Sequence, residues 1–503
     1  MPFNSYEFIF VMLPLSVIGY YMINKKSYKA GSVYLLLCSF VFIGYMNIMY
    51  LLLMLPCALL TYLIARFINS GIKKRKALLS VGIIINVAVL LVFKYTNFFI
   101  DTLNDLLSKD YAAVNIILPL GISFYTFQQI TFLVDYYRDE SLNCDILEYL
   151  TYICFYPQFI QGPIVLQSEF IPQLRDESRK SVDYEYVATG LYRFILGLSK
   201  KVLIADSIAK AVNGGYDAIS DMGKISAIAT IIGYSLQIYF DFSGYSDMAI
   251  GLGRMFHIDL PENFDSPYKA FTIEDFWDRW HITLTRFFTR YIYIPLGGSR
   301  KGKLRTYLNI LFIFFISGLW HGADRTFIVW GLMHGAAMLV CRLIRDLSGK
   351  KSKDLKSASR PVSIIMTAIT FIYVSLAWVY FRAESMRRAV RILTRVFAAG
   401  WNTITDSVYE NFNHIVEVTW LIRLDVLDLN EKIPGFIFFI AVVVFTYICM
   451  LCPNTKEMTD RWCGRIKDGA LTVSLRACIV PALLLTWCIL GMSGVTDFIY
   501  WSF

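Results

Sequence analysis

The sequence predicts an all-α polytopic membrane protein with about eleven transmembrane helices. Hydrophobic residues make up 56% of the 503 residues and charged residues only 17%, which is more apolar surface than a soluble domain can bury. The apolar residues form continuous blocks of roughly 20, the length that crosses a bilayer core of about 30 Å as a helix. Short alternating segments, which would indicate a transmembrane barrel, are not the pattern here.

The apolar blocks are spread along the whole chain, and the polar gaps between them are short. We therefore expect a single multi-pass domain over residues 1–503, with its C-terminal spans within 434–500. Near-spans between the clear blocks bring the predicted count to about eleven. The clearest blocks, in chain order, read "EFIFVMLPLSVIGYYMI", "MYLLLMLPCALLTYLIARFI", "LLSVGIIINVAVLLVFKYTNFF", "ISAIATIIGYSLQIYF", "VSIIMTAITFIYVSLAWVYF", "GFIFFIAVVVFTYICML" and "ACIVPALLLTWCILGMSGV".

The net charge of +9 is concentrated in short loops between the apolar blocks, such as "NKKSYK", "KKRK", "SRKGKLR" and "GKKSKDLKSASR". Short basic loops stay on the cytoplasmic side, so this surplus indicates topology rather than nucleic-acid binding. Residues 403–433 are acidic and are predicted to lie on the outer face. We expect a multi-pass protein of the cytoplasmic membrane with the lipid bilayer, and no nucleic acid, as a partner.

Cysteine and histidine usage limits the available chemistry. The ten cysteines show no disulfide or metal spacing, and most lie in apolar blocks, where cysteine packs as a small hydrophobic residue. The five histidines lack the paired spacing of a zinc site. There is no G-x-S-x-G motif and no Cys–His pair. We therefore expect no metal and no permanently bound cofactor.

The stretch "FISGLWHGADRTFIVWGLMHG", residues 315–335, contains two of the histidines. As one helix, the apolar run from Tyr307 to Val340 would be roughly 50 Å long, so a break is needed within it. "SGLWHGAD" supplies that break, and irregular backbone inside a membrane is tolerated where protein or a water-filled cavity surrounds it. We expect His321 at a helix break that faces a cavity, and an ionisable group there is a functional candidate.

The two histidines of this stretch receive different predictions. They are thirteen residues apart, about 220° around an ideal helix, so they should not share a face. We interpret His334, in "WGLMHG", as structural and bonded to a neighbouring element, with the two glycines permitting close helix packing. A neutral imidazole at His321 can accept a proton from a hydroxyl. Without a protein nucleophile, this base suits direct attack by a substrate hydroxyl on an activated acyl group.

Residues 274–292 are predicted as one amphipathic helix. At about 100° per residue, Arg279, Arg286 and Arg290 share one face, and His281 lies on the opposite, apolar face. Two interpretations of the arginines remain open. They anchor the helix to anionic headgroups, or they bind the phosphates of an anionic cytoplasmic donor.

Several motifs together resemble the membrane-bound O-acyltransferase family, and within it the bacterial alginate O-acetyltransferase branch. The most specific are "FWDRWHITLTRFFTRYIYIPLGGSR" and "GLWHGADRTFIVWGLMHG". The likeness covers about residues 115–395 in family order, although Thr289-Arg290 stands where the branch usually has Arg-Asp, and Arg325 stands where it usually has an aromatic residue. The other matching segments are "LPLGISFYTFQQITFLVDYYR", "YPQFIQGPIVLQSEFIPQL", "YFDFSGYSDMAIGLGRMF", "ENFDSPY" and "WVYFRAESMRRAV".

The resemblance implies tilted, broken core helices around a funnel that crosses the membrane. It implies that His321 is catalytic and that His281 is a second essential residue. The implied donor substrate is a cytoplasmic thioester, acetyl-CoA or an acyl carrier. The implied acceptor is an extracytoplasmic polysaccharide, reached through an extracytoplasmic acetyltransferase partner.

Further residues are candidates for lining the substrate tunnel: Trp280, Trp320, Asp241, Ser243 and Tyr245. For the last three, which belong to "YFDFSGYSD", a polar contact between helices is an equally good interpretation. Two alternative functions also remain. One is D-alanyl transfer from a carrier-protein thioester towards teichoic acid. The other is transport of a polysaccharide or lipid precursor, which would also use broken helices and intramembrane charges.

Overall fold

The computed structural model describes residues 1–70, 73–138, 143–348, 359–398, 400, 433–467, 475–492 and 498–499, and this part of the chain is built from helices. Within it, a single isolated bridge between Phe264 and Trp280 is the one instance of β pairing. The predicted all-α fold is confirmed. The acidic segment predicted for the outer face lies outside the described residues, apart from residue 433.

Twenty α-helices, numbered α1 to α20, follow one another within the described residues. In chain order they are Leu13–Asn24, Tyr28–Met46, Ile48–Ile68, Arg75–Leu107, Ile122–Arg138, Ile146–Cys154, Tyr156–Phe159, Gln167–Arg175, Tyr184–Ser199, Asp206–Asp217, Lys224–Met255, Ile273–Trp277, Ile282–Phe288, Lys303–His321, Arg325–Ser348, Arg360–Arg382, Met386–Ala398, Ile433–Leu451, Thr455–Lys467 and Leu475–Gly491.

Seven of the described helices are long and apolar enough to cross a membrane: α2, α3, α4, α11, α14, α15 and α16. The bent pair formed by α18 and α19 would make eight. This is fewer than the eleven or so spans predicted from the sequence. One reason is that two predicted blocks form the shorter apolar helices Phe8–Asn24 and Cys478–Gly491, which fall below the roughly 20 residues that a bilayer core requires.

The helices form two compact units that alternate along the chain. The first comprises Met1–Ile195, Tyr245–Glu262 and Arg461–Ser474. In this unit α2 packs against α1 and α6, and α4 packs against α3 and α5. Its buried Arg193 pairs with Asp247 at 2.8 Å and Glu262 at 2.6 Å, which compensates the guanidinium for its loss of water.

The second unit comprises Leu196–Gly244, Asn263–Asp460 and Leu475–Phe503, and its central feature is the antiparallel pair α14 and α15. A Cβ atom at Gly331 would lie 2.3 Å from the carbonyl oxygen of Phe314, and one at Gly318 would lie 2.4 Å from that of Phe327. Only glycine permits this approach of two backbones. The close packing predicted from "WGLMHG" is confirmed, and it fixes α14, which carries His321, against α15.

Candidate active site

The predicted break in the 315–335 stretch is confirmed at His321. α14 ends at this residue, and Gly322 follows in an extended conformation. The carboxylate of Asp324 then accepts a hydrogen bond from the N–H of Thr326 at 2.8 Å. This bond satisfies one of the free N–H groups at the start of α15. The break is therefore built from local chemistry, and it places an imidazole at the end of a membrane helix.

The imidazole of His321 is buried, with 3% of the residue exposed, and aromatic rings enclose it. The ring centroids of Trp320, Trp330 and Phe381 lie 4.8, 4.9 and 5.1 Å from its own, all near edge-to-face. This geometry is favourable for aromatic pairs. It fixes the orientation of the imidazole and excludes bulk water from it.

The single helix predicted over residues 274–292 is wrong. α12 ends at Trp277, α13 begins at Ile282, and His281 between them has a φ of 46°, in the left-handed region. Since the helical period is interrupted there, the three arginines of this segment do not share a face in the way that the sequence predicted. The basic and apolar faces are replaced by a tight turn around a histidine.

Tertiary hydrogen bonds cause this turn. The backbone of Trp280 pairs with that of Phe264 in the isolated bridge. The carbonyl of Asn263 accepts a hydrogen bond from the N–H of Ile282 at 3.0 Å. These bonds come from a segment some twenty residues upstream, and tertiary context of this kind overrides a local helical pattern.

The side chain of Asn263 defines the tautomer of His281. Its Oδ1 lies 2.9 Å from His281 Nδ1 and 2.9 Å from the hydroxyl of Thr283. The backbone N–H of Thr283 also donates to this oxygen, at 3.4 Å, and a backbone N–H can only donate. The atom facing His281 is therefore the amide oxygen, His281 Nδ1 carries a proton, and in the neutral ring the lone pair is on Nε2.

The electrostatic state of His281 follows from its burial. The residue lies outside the candidate spans and is 1% exposed. Burial lowers the pKa of the imidazole from 6.5 to about 3, because the charged form loses its hydration. His281 is therefore neutral at physiological pH, with Nε2 able to accept a hydrogen bond or a proton.

The indole of Trp320 connects the two histidines. Its ring centroid is 4.8 Å from that of His321 and 6.2 Å from that of His281. The second unit thus brings together two of the sequence-predicted catalytic residues and one of the predicted tunnel residues. The two histidines are forty residues apart in the sequence, and in the folded unit both contact the indole of Trp320.

His334 is the third buried histidine of this cluster. Its Nδ1 accepts a hydrogen bond from the indole N–H of Trp277 at 3.3 Å, so the predicted bond to a neighbouring element is confirmed. His334 and His321 lie on two different helices, so they share no helix face, as predicted. Because the chain folds back at the break, both imidazoles contact Trp330, at 5.0 and 4.9 Å.

A cavity of about 390 Å³ lies beside the cluster, between α12 and α13 on one side and α14 and α15 on the other. It runs along α14 as far as Ser317, one turn before His321, and Trp277 forms part of its wall. Arg342 and Arg345 line its other end. His321 itself is not among the described lining residues, so the cavity approaches this histidine without including it.

The sequence profile of the membrane-bound O-acyltransferase family matches residues 41–382. The chain belongs to this family. It is 40% identical over 420 residues to the peptidoglycan O-acetyltransferase of Helicobacter pylori, covering 78% of this chain and 79% of that one. It is 34% identical over 408 residues to the probable alginate O-acetylase AlgI of Pseudomonas aeruginosa, covering 80% and 75%. With the teichoic acid D-alanyltransferase of Bacillus subtilis it shares 29% identity over 282 residues, covering 54% and 70%.

The predicted family is thereby confirmed, and the protein is a multi-pass membrane O-acyltransferase related to polysaccharide and peptidoglycan O-acetylases. The family assignment replaces the transporter alternative. The bacterial relatives also agree with the predicted membrane location.

The other predicted tunnel residues of the acyltransferase take part in packing and polar contacts between helices. Trp280 is buried and packs against Trp378 at 4.9 Å. Asp241 forms an ion pair of 2.7 Å with the buried Lys201, and Ser243 lies 3.4 Å from Lys200. These contacts favour the interpretation of "YFDFSGYSD" as a polar helix contact. Tyr245 belongs to the first unit, where its ring stacks on Phe3 at 5.0 Å.

The three predicted donor arginines are dispersed. Arg279 pairs with Asp275 at 3.1 Å, one helical turn earlier in the sequence. Arg286 is on α13, and Arg290 follows in a π-helical turn, where its guanidinium lies over the ring of Tyr291 at 5.4 Å. None of the three is among the described residues that line the cavity. The cationic residues that do line it, Arg342 and Arg345, were not predicted.

Sequence reasoning also missed residues that build the site. Asn263 is the most important, and Trp330, Trp378 and Phe381 complete the aromatic cluster. A signal was present, because each of them belongs to a segment that resembles the family: "ENFDSPY", "WGLMHG" or "WVYFRAES". What the sequence could not supply is that these segments converge on the histidines.

Proposed function

We propose that this acyltransferase moves an acetyl group from a cytoplasmic thioester, acetyl-CoA, across the membrane to hydroxyls of an extracytoplasmic polysaccharide, with a partner transferase completing the transfer. The acceptor would reach the site through a funnel between the core helices. The single observation that carries the proposal is that His321 and His281, both buried, contact the same indole, that of Trp320. The relatives named above as peptidoglycan and alginate O-acetylases support the acceptor class.

In this proposal His321 is the general base. The acceptor hydroxyl gives its proton to the lone-pair nitrogen of His321 while its oxygen bonds to the carbonyl carbon of the thioester. The C–S bond then breaks, and the imidazolium returns the proton to the departing thiolate. The products are an ester and a thiol, and His321 is neutral again. The surrounding aromatic rings would exclude water, which would otherwise hydrolyse the thioester.

His281 is proposed to assist near the thioester. Because Asn263 holds its Nδ1–H, the neutral ring can offer only a lone pair, at Nε2. It can therefore accept a hydrogen bond from an N–H of the donor's pantetheine arm, or a proton. It cannot, while neutral, donate a hydrogen bond to the oxyanion of the tetrahedral intermediate.

We propose the cavity beside α14 as the path of the donor. Its lining suits an amphipathic thioester arm, since Arg342 and Arg345 line one end and apolar side chains such as Leu284, Phe288 and Phe314 line much of the wall. Glu274 also lines the cavity and pairs with Arg345 at 2.6 Å. Ser317 lies closest in sequence to His321 among the lining residues. Under this proposal the phosphates of the donor face Arg342, and the arginines predicted from the sequence take the membrane-anchoring role.

D-alanyl transfer remains a second candidate, and the observation that favours it is the likeness to a teichoic acid D-alanyltransferase over 54% of this chain. Cells that express the protein should be fed labelled acetate or labelled D-alanine. Acetyl transfer predicts base-labile acetate in the polysaccharide or peptidoglycan fraction. Base-labile D-alanine in the envelope, without acetate, would refute acetyl transfer and support D-alanyl transfer.

The test of the catalytic base is His321→Ala. We expect ester-linked acetate in the polymer to fall by about 100-fold or more, since general bases contribute on the order of 10²–10⁴-fold. The amount of protein in the membrane fraction should stay near that of the unmodified chain, and Cys38→Ala is a matched control for an uninvolved substitution in a span. Full acetylation by His321→Ala would remove His321 from the mechanism.

A further inference from the structure

The proposed reaction uses two buried histidines and leaves the third, His334, without a role. His334 is 0% exposed. An indole N–H can only donate, so the bond from Trp277 at 3.3 Å places a lone pair on His334 Nδ1 and the proton of the neutral ring on Nε2. Within the part of the chain that the structure describes, Nε2 is buried without a hydrogen-bond partner. The bond from Trp277 is thus the polar contact that orients this ring.

Trp277, the partner of His334, stands between the cavity and the histidine cluster. Its indole forms part of the cavity wall. The same ring contacts Phe314 at 5.2 Å and Trp330 at 5.9 Å, and Trp330 is in edge-to-face contact with His321. A rotation of the Trp277 ring would therefore alter both the shape of the cavity and the packing behind His321.

The location of this ring on a five-residue helix explains why it needs an external restraint. α12 spans Ile273–Trp277, and Trp277 is its last residue, so the backbone that carries the indole is not extended by further helical turns. α15, by contrast, is a 24-residue helix in close contact with α14. The hydrogen bond that Trp277 donates to His334 on α15 therefore ties a side chain on a short helix to a long one.

We propose that His334 is a positioning residue, which holds the Trp277 indole in place so that the cavity wall against which the donor thioester lies is fixed. It acts through Trp277 and does not touch the reacting atoms. The inference rests on the proposed function, because it takes the cavity as the path of the donor.

Three single variants distinguish the effect of the Trp277–His334 hydrogen bond from the effect of the aromatic ring at position 334. His334→Phe keeps an aromatic ring and removes the acceptor, and Trp277→Phe removes the donor. His334→Asn places an amide oxygen near the position of Nδ1 and so keeps an acceptor. Breaking a buried bond of this kind should raise the KM for acetyl-CoA about tenfold in the two Phe variants, with kcat changed by less than about threefold. His334→Asn should restore the KM to within about threefold of the original value.

The double variant decides whether the two residues act through one bond. Once Trp277→Phe has removed the bond, adding His334→Phe should leave the KM unchanged, because interacting residues are not additive. The measurement is steady-state transfer at varied acetyl-CoA by the full chain in proteoliposomes. Effects that multiply in the double variant, or a KM for Trp277→Phe equal to that of the unmodified protein, would overturn the inference.

Trp462→Phe is the matched control. Trp462 lies outside the histidine cluster and the cavity lining, and its ring stacks on Tyr192 at 4.7 Å, so the variant removes an indole without removing the bond from Trp277. Its KM for acetyl-CoA should stay within about twofold. If Trp462→Phe raised the KM as much as Trp277→Phe, the effect would not be specific to this bond, and the assignment to His334 would fail. If His334→Phe does not accumulate, Trp277→Phe and His334→Asn carry the test.

The His321→Ala variant tests the proposed function separately from the role of His334. An inactive His321→Ala together with an unaltered KM in both Phe variants would refute this inference and leave acyl transfer through His321 standing. A fully active His321→Ala would refute the proposed function itself.

Discussion

At the scale of single residues, the most informative contact is the convergence of three donors on one oxygen of Asn263. The donors are Nδ1–H of His281 and the hydroxyl and backbone N–H of Thr283. All three groups are buried, so the loss of this acceptor would leave several polar groups unsatisfied. The tautomer of His281, and with it the chemistry that the ring can perform, depends on a residue that does not titrate.

Substitution of Asn263 should therefore impair the site in two distinguishable ways. Asn263→Ala leaves buried donors unsatisfied, at a cost of about 1–3 kcal/mol, and should lower both stability and transfer. Asn263→Asp keeps the acceptor but adds a negative charge, which raises the pKa of His281. The acid limb of its pH–activity profile should move to higher pH while activity at pH 8 is largely kept. Identical pH profiles for Asn263→Asp and the unmodified protein would contradict the assigned contact.

The lowered pKa of His281 also predicts a pH dependence of stability. The unfolded chain takes up a proton at this residue near pH 6.5, whereas the folded chain does so only near pH 3. Stability is therefore full above about pH 7.5 and falls as the pH drops towards 3, by about 2 kcal/mol at pH 5 from this residue alone. Thermal unfolding midpoints in detergent at pH 8 and pH 5 measure it. In a His281→Asn variant the unfolding midpoint should fall less between pH 8 and pH 5 than in the unmodified protein. An equal fall in both proteins would contradict the prediction.

At the scale of secondary-structure elements, the pair α14 and α15 holds the catalytic candidate in place. The helices meet through glycine backbone, and Asp324 begins the second helix where the first has ended. Because the two helices are neighbours in sequence and in space, the position of His321 depends on a hairpin of fewer than fifty residues, Lys303–Ser348.

Gly331→Ala tests this pair directly. Its Cβ would lie 2.3 Å from the carbonyl oxygen of Phe314, so the helices must separate. We expect a loss of about 1–3 kcal/mol, as is usual for overpacking, measured as a lower unfolding midpoint and reduced acetylation. Gly44→Ala on α2 is the control, because its Cβ would meet only side-chain ends at 3.4 Å or more. Equal midpoints for the two variants would argue against close backbone packing at Gly331.

The same elements show how far sequence reasoning reaches. The break at His321 was predictable because its causes, glycines and a capping aspartate, are local in the sequence. The break at His281 was not, because its cause is hydrogen bonding to Asn263 and Phe264, and the helical pattern of residues 274–292 contains no trace of those partners. The prediction that the three arginines share one helix face was wrong for the same reason, because it required the helical period to continue through His281.

At the scale of the whole molecule, composition alone was sufficient to predict a polytopic membrane protein. The order of the motifs was sufficient to predict the acyltransferase family. The number of spans was harder, because length and hydropathy do not distinguish a full crossing from a short apolar helix such as Phe8–Asn24. The convergence of segments between residues 263 and 381 on one aromatic cluster is a property of the folded unit. Pattern reading identified the parts of the site, and the fold supplied their arrangement.

The basic loops predict an orientation for the whole chain. α14 follows the basic segment "SRKGKLR", and α15 and α16 are separated by another, so both segments should be cytoplasmic. A fluorescent protein inserted between α15 and α16 should fold and fluoresce. Alkaline phosphatase fused after Ala398, beyond the next span, should be active. The opposite pair of results would invert the topology and place the arginine end of the cavity away from cytoplasmic acetyl-CoA.

The left-handed backbone at His281 decides how that residue can be studied. Asparagine and glycine adopt this conformation at little cost, whereas for alanine it is unfavourable by about 1–2 kcal/mol. An alanine scan would therefore combine a lost side chain with a distorted turn, and a dead His281→Ala would say nothing certain about proton transfer. Asparagine, whose amide can still donate to Asn263, is the substitution that isolates the imidazole.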